Sequence, residues 1–527
     1  MAGPHTPPIH PAVPPQAQID SDREKQETQV QPVLENQNRQ ADQDDSEHQA
    51  PHTIFNTWEK RFIVFVASAA GFFSPISANI YFPALNTLAG EYGVSTTLIN
   101  LTITVYMIFQ GLAPSFTGSL SDNIGRRPVY FLCFAVYIAA NIGLALQHSF
   151  AALVVLRCVQ SSGSSGTVAL ANAVVSDIAT AAERGVYIGY ASLGGVLGMA
   201  LGPILGGVLI NFLGWRAIFW FLVICAGVAL LILGLFLPET GRSIVHNGSV
   251  RPPRWNLSLW DLLPTAKRRR ATFKRPGPVD GPKRGFINPI STLRICKDKE
   301  AFIVLLANGI AFAGYYAIAG AIPSQFAEIY HFNDLEIGLS FLPIGVSSGL
   351  STLTVGRAVD WNFARHSRLL RLTPEEAKQK NRELGDFPIE RVRCEIALPI
   401  LVLASASTIV YGWVLDYKTS VAGPLVMLFF VGFCANGFFT ILSVLMVDIY
   451  PREPATATAA NNLVRCWLGA GASSLIIPMI NRMTSGWAYT FVALLYLLLA
   501  PLLWIVMRSG PKWRSERVQK EKARDSD

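Results

Sequence analysis

Twelve long apolar blocks constrain this chain more than any other feature of its sequence. They lie near 61–83, 95–118, 128–147, 150–174, 185–210, 215–237, 301–327, 337–359, 395–415, 421–447, 455–480 and 487–507. Each approaches or exceeds the roughly 20 residues that a helix needs to cross a ~30 Å hydrocarbon core. Buried helices of soluble proteins rarely run this long without charge. The balance of the 527 residues agrees: 51% are hydrophobic and 15% charged, where a soluble domain carries about 25% charged residues. A row of soluble domains, a collagen-like chain, a disordered chain and a disulfide scaffold are excluded as descriptions of the whole. The expectation is an all-α integral membrane protein with twelve transmembrane helices.

The polar residues are sorted by sign along the chain. Residues 1–58 are rich in Pro, Gln and acids, with 10 acids and 4 Lys/Arg over 1–60. Such a segment cannot offset its ordering entropy and is predicted to be a disordered tail. It lacks the apolar stretch of a cleaved signal peptide. With the N-terminus in the cytoplasm, the outer connections hold only Arg216, Lys418 and Arg482. The inner ones hold Arg126, Arg127, Arg184, Arg452, the 239–299 linker, the 360–394 loop and the 509–527 tail. Residues 238–300 alone carry 14 Lys/Arg against 5 Asp/Glu. The bias of Lys and Arg towards inner loops therefore predicts cytoplasmic termini. The net charge of +8 reads as topology and as attraction to anionic inner-leaflet lipid, not as nucleic-acid binding. The sequons at Asn247 and Asn256 fall on the inner side and are expected to stay unglycosylated. In the 360–394 loop, Thr373-Pro374-Glu375-Glu376 is a capping box, and Gly385 is a stop. Together they predict an amphipathic helix along the membrane.

Seven cysteines form no CxxC pair, and no Cys/His cluster has metal-ligand spacing. Neither a metal nor a cofactor is expected. The chain contains no Walker sequence, GxSxG elbow or HExxH, so no ATP-driven pump or recognisable hydrolase is encoded.

The linker divides the spans into a first bundle, 59–238, and a second, 300–508. The connection after span 2 runs from Gly118 through Asp122 to Arg127, and the one after span 8 from Gly356 through Asp360 to Arg365. Gly, Asp and Arg match at a constant offset of 238. Spans 4 and 10 close on a second echo, Val175-Ser176-Asp177-Ile178 beside Met446-Val447-Asp448-Ile449. Echoes at corresponding places argue for two pseudo-symmetric six-helix bundles, an architecture common among secondary transporters with a central cavity.

Specific motifs then point to a family. Gly118 to Arg127, followed by Pro128, resembles the signature loop of the major facilitator superfamily. Leu156-Arg157 and Gln160 in span 4 resemble its second motif. Gly194, Gly195, Gly198, Gly202, Pro203, Gly206 and Gly207 in span 5 resemble the antiporter motif of its drug:proton exchangers with twelve spans. The stretches around Asn79-Ile80-Tyr81, Trp215-Arg216, Asp386-Phe387-Pro388 and Asn461-Asn462-Leu463-Val464-Arg465 resemble a fungal branch with quinidine-resistance-type and citrate-exporter-type members. The resemblance covers roughly 58–515. It implies the major facilitator fold, alternating access, and a multi-pass protein of the plasma membrane.

The resemblance also implies roles. Gly118, Asp122, Gly125, Arg126, Arg127, Asp177 and Arg184 would form a conformational latch, in which Asp122 approaches the start of span 11 near Ala455–Ala457 and gains from that helix dipole. Gly194, Gly198, Gly202 and Gly206 recur every four residues and share one helix face. Small faces permit close helix approach, and the family reading adds a contact between the halves that favours export.

Arg157 and Arg465 are the ionisable groups deep in spans. Each costs at least ~2.5 kcal/mol at the bilayer centre, so each should face a water-filled cavity or a partner. Gln160, Asn461, Asn462, Asn79, Gln110, Tyr315 and Tyr316 complete the candidate cavity. Two arginines with no mid-span acid suit an anionic or neutral small molecule. Citrate-exporter-type members carry Arg and Gln within the span-5 motif, whereas here those places are apolar, which favours a less charged metabolite. The expected function is export of a small organic compound (a secondary metabolite, an organic acid or a drug) across the plasma membrane by a monomeric secondary transporter, with protons as coupling ion. An uncoupled organic-acid exporter and a non-transporting sensor on the same fold are the alternatives.

Overall fold

The structure is a computed structural model that describes residues 53–526 apart from 181–182, 263, 265–293, 373–386 and 451–453. The disordered tail expected for 1–58 lies almost wholly outside the described residues, as does the amphipathic helix expected from Thr373. Every regular element among the described residues is helical.

The first bundle comprises α1 (Thr57–Gly71), α2 (Phe73–Asn79), α3 (Ala84–Tyr92), α4 (Thr96–Ile124), α5 (Arg126–Leu146), α6 (Phe150–Ile178), α7 (Arg184–Leu213) and α8 (Arg216–Phe236). Two short helices, α9 (Arg242–Val245) and α10 (Leu259–Leu262), follow in the linker. The second bundle comprises α11 (Lys299–Tyr330), α12 (Asp334–Ser340), α13 (Leu342–Leu369), α14 (Ile389–Asp416), α15 (Ala422–Ile449) and α16 (Pro454–Ser526). Side-chain caps start several of them. Asn56 and Glu59 form a capping box on α1, Asn333 and Glu336 another on α12, and Ser95 and Ser149 cap α4 and α6. Between α4 and α5 the chain turns on Gly125 at φ 103°, a conformation that favours glycine.

Ten helical segments are long and apolar enough to cross a membrane. The last of them, Thr456–Arg517, is broken at Thr484 (φ 68°, ψ 165°) and so holds two crossings. Helix α6 has 29 residues but is too polar for that set, because it carries Arg157, Gln160 and a run of serines. The polar α6 and the break at Thr484 are the two places where these ten segments fall short of the expected twelve.

Within the first bundle α4 packs on α6, α5 on α6 and α8, and α1 and α2 on α7. In the second, α16 packs on α11 and α14, and α15 on α13 and α14. The bundles meet through α4 against α16 and α7 against α12 and α13. One face of the protein carries Gly118–Arg127, the linker and the C-terminal end of α16. It is termed the linker face, and the opposite one the far face.

Hydrogen bonds between the bundles cluster towards the far face. Asn86 Nδ2 donates to Pro323 O (2.6 Å), Thr87 Oγ1 to Asp334 Oδ2 (2.8 Å) and Asn100 Nδ2 to Gly320 O (3.4 Å). Thr104 Oγ1 meets Ser474 Oγ at 2.6 Å. At mid-depth Asn462 Nδ2 donates to Gln110 O (3.1 Å). Phe82 stacks on Phe341 at 5.4 Å. These contacts close the molecule on the far face.

Candidate functional site

On the linker face, the loop between α4 and α5 is held by buried charge. Arg126 Nε donates to Asp177 Oδ2 (2.8 Å) and Nη1 to Asp122 Oδ1 (2.5 Å). Asp177 is 8% exposed, whereas the Asp122 side chain is 66% exposed. Glycine at 118 has open space around it. Asp122 thus pairs within its own bundle and, among the described residues, makes no bond to the second bundle. The side chains of Arg184 and Ala455 lie outside the described residues. The echo at Asp448 has a counterpart in space: Arg393 pairs with Asp448 at 3.0 Å, as Arg126 pairs with Asp177.

Sequence reasoning missed the residue at the centre of this network. Glu239, just past α8, is 1% exposed. Its carboxylate accepts from the backbone N–H of Arg126 (2.8 Å), Arg127 (3.2 Å), Thr240 (3.0 Å) and Gly241 (2.8 Å), and from Asn256 Nδ2 (2.8 Å). A carboxylate at the N-terminus of α5 satisfies orphan donors and suits the helix dipole. Arg127 in turn donates to Asn256 Oδ1 (3.2 Å) and Gly234 O (2.5 Å). The beginning of the linker, expected as a plain basic loop, is therefore folded onto the first bundle. Ile54 N bonds Asn247 O (3.0 Å), and Phe55 lies 4.9 Å from Trp260. The available signal was an acid directly after an apolar block, at Leu237-Pro238-Glu239. Nearby, Lys60 Nζ bonds Glu183 at 2.9 Å, which holds that carboxyl below its usual range.

The glycine face of α7 packs on its own bundle. A methyl at Gly194 or Gly206 would run into the carbonyls of Ser68 and Ile80, and at Gly198 and Gly202 it would come within 2.9 Å of Ile76 N and Asn79 Cβ. The contact between bundles uses a neighbouring face instead. Gly207 lies against Asp334, Gly338 against Pro203 and Gly345 against Ala200. Gly195 has open space. The four-residue period coincides with a face packed against α1 and α2.

The two deep arginines have different surroundings. Arg157 is 1% exposed and sits over the rings of Tyr81 (4.0 Å) and Tyr106 (4.2 Å). It donates to Gln160 Oε1 (2.6 Å), and Gln160 Nε2 donates to Asn141 Oδ1 (2.7 Å). This cation is sealed in the first bundle, and cation–π contact stabilises it where no acid is near. Asn79 is likewise buried, and its amide donates to Pro75 O (2.7 Å).

Arg465 is half-buried at mid-depth between the bundles. Its guanidinium lies 4.5 Å from the Phe312 ring and 4.7 Å from that of Phe439, and it donates to Asn462 Oδ1 (2.6 Å). No carboxylate pairs with it among the described residues. Its Nε, Gln110 Oε1 and Asn308 Oδ1 have no hydrogen-bond partner. Asn308 donates to Asn461 Oδ1 (2.7 Å), and Phe312, Tyr315 and Tyr316 form an aromatic cluster with centroids 4.6–6.4 Å apart. The structure thus brings Arg465, Asn462, Gln110 and Asn461 to one region with Tyr315 and Tyr316 close by, while Arg157, Gln160 and Asn79 belong to a separate buried cluster. Asn308 was among the polar candidates of the sequence; Phe312 and Phe439 were not singled out, because aromatic residues in apolar spans carry no periodic signal of their own.

The sequence profile described as Major Facilitator Superfamily matches residues 67–474. The chain is 46% identical over 474 residues to MFS-type transporter phiD of Fungal sp. (strain ATCC 74256), covering 90% of this chain and 72% of that protein. It is 36% identical over 502 residues to Citrate exporter 1 of Aspergillus niger, covering 91% of each. The crystal structure of the human organic anion transporter MFSD10 aligns with a TM-score of 0.50 at 20% identity, over 86% of this chain and 100% of that one.

Proposed function

This chain belongs to the Major Facilitator Superfamily, and from that premise we propose that it exports a small organic anion by alternating access. It is a multi-pass membrane transporter; the substrate, the direction and the coupling are our reading. The observation that carries the reading is Arg465, a cation at mid-depth with open hydrogen-bonding capacity and no carboxylate partner among the described residues. An unpaired charge at this depth costs at least ~2.5 kcal/mol. A substrate carboxylate would supply the missing counter-charge and an acceptor for Nε, and the Phe312 and Phe439 rings would flank its carbon skeleton. The similarity to a citrate exporter supports an organic-acid substrate.

The far-face closure corresponds to a carrier that loads from the linker side, which the Lys/Arg bias assigns to the cytoplasm. Export would proceed across the plasma membrane in exchange for protons, by a monomer. Arg465→Ala should abolish efflux while leaving folded protein in the membrane; normal efflux in that variant would overturn the assignment. A second reading, export without proton coupling, is favoured by one observation: no described carboxylate lies in the middle of a span. Efflux that persists when the proton gradient is collapsed and follows only the substrate gradient would establish it.

A further inference from the structure

On the linker face of the second bundle, two glutamates are buried against each other, away from Arg465. Glu300, in the first turn of α11, is 1% exposed, and Glu390, in the first turn of α14, is 0% exposed. The extension of α16 beyond its last crossing lies over both. A methyl at Gly510 would come within 2.7 Å of Glu390 Cγ and 3.3 Å of Glu300 Oε1, so glycine lets the helix rest on the pair. Charged groups surround them from every packed element. Arg517 donates to Glu300 Oε2 (3.1 Å) and Asp298 Oδ2 (3.2 Å). Arg514 Nε lies 3.2 Å from Glu390 Oε1, and its Nη2 donates to Phe387 O. Tyr450, just after α15, bonds Asp298, and Cys394 on α14 faces both carboxyls.

Among the described residues Glu300 Oε1 and Glu390 Oε2 meet no side-chain donor, and Glu390 Oε1 meets Arg514 Nε only as an ion pair at 3.2 Å. Yet the two carboxyl groups are neighbours, because Glu300 Oε1 and Glu390 Cδ each lie 3.3 Å from the point where a Gly510 methyl would stand. As two carboxylates they would present like charges and acceptors only, in a site closed to water. Like charges that share a site cannot both ionise readily, and buried acceptors without donors are costly. One proton resolves both conflicts, because a protonated carboxyl donates to its neighbour. The arginines and the helix N-termini accommodate the remaining negative charge.

We propose that Glu300 and Glu390 form a proton-binding site that holds one proton between two carboxyls and thereby keeps residues 510–517 docked on the second bundle. The site is independent of the substrate reading above. The docked state binds more protons than the released one, so docking strengthens as pH falls and weakens as pH rises. Loss of the proton sets two negative charges face to face beneath Gly510.

The test uses the purified full-length chain in two measurements. Infrared titration should show the C=O stretch of a protonated carboxyl that disappears as pH rises and is missing in both Glu300→Gln and Glu390→Gln. Persistence of that band in both variants, or its absence from the parent protein at every pH at which it is folded, overturns the proposal. Trypsin cleavage at the exposed Lys512 should accelerate with rising pH in the parent and lose that dependence in Glu390→Gln, whose amide donates in place of the proton. An unchanged pH dependence in that variant also overturns it.

Discussion

Replacing Gly207 with alanine should weaken closure of the far face and move the carrier towards the state open on that side. A Cβ at Gly207 would stand 2.7 Å from Asp334 O and 3.2 Å from the Cα atoms of Leu335 and Gly338, where ordinary contact begins at 3.4 Å. These atoms are backbone of the opposite bundle, so no side chain can swing aside. Overpacking of this kind costs ~1–3 kcal/mol, and it applies only while the bundles touch. The gain in helix propensity, ~1 kcal/mol for Gly to Ala, is the same in both states and cancels. The ratio of far-face-open to far-face-closed molecules should therefore rise about 5- to 150-fold. The readout is the reaction rate of a cysteine introduced at Ser324, beside the Asn86–Pro323 bond, with a membrane-impermeant maleimide. Gly195→Ala is the control, because nothing lies within 4 Å of that site. Equal labelling rates in Gly207→Ala, Gly195→Ala and the parent would refute the steric argument.

Three further outcomes follow from the same geometry. Glu239→Ala leaves the N–H groups of Arg126 and Arg127 without their acceptor and should lower stability by about 2–5 kcal/mol, read as a drop in the thermal midpoint of the solubilised protein. Asp177→Asn breaks a buried pair and should destabilise more than Asp122→Asn, because the Asp122 carboxylate is exposed and its pairing contributes ~0–1 kcal/mol; the reverse order would show that the burial of Asp177 does not govern this network. Asn256 is 2% exposed and its amide is committed to Glu239, so its sequon should carry no glycan by mass spectrometry, and Asn256→Gln should release Arg127 and lower the thermal midpoint.

Much of the arrangement was legible in the sequence, for reasons of length and charge. The apolar blocks located the crossings, and the echo of Asp177 in Asp448 argued for duplication; the ion pairs of both residues, with Arg126 and Arg393, were found only in the structure. Arg157 and Arg465 looked alike in one dimension, since both are isolated cations in apolar runs. Their difference lies in neighbours far away in sequence. Tyr81 and Tyr106 close over Arg157, while Phe312 and Phe439 flank Arg465 and leave its Nε open. Glu239, Glu300 and Glu390 sit at block ends, where nothing in the sequence marks them as buried. Each is buried because a distant segment folds over it: the early linker over Glu239, and the end of α16 over the other two.

By itself, then, the sequence determined that the chain crosses a membrane about a dozen times, in two related halves, with its positive charge on one face. Hydrocarbon sets those features residue by residue: it demands apolar length and excludes charge wherever the chain lies. Only the tertiary structure decided which glycine face meets which helix, which arginine keeps open valences, and which carboxylates lose water. Those outcomes depend on contacts between segments hundreds of residues apart, and burial and hydrogen-bond satisfaction are properties of the assembled neighbourhood.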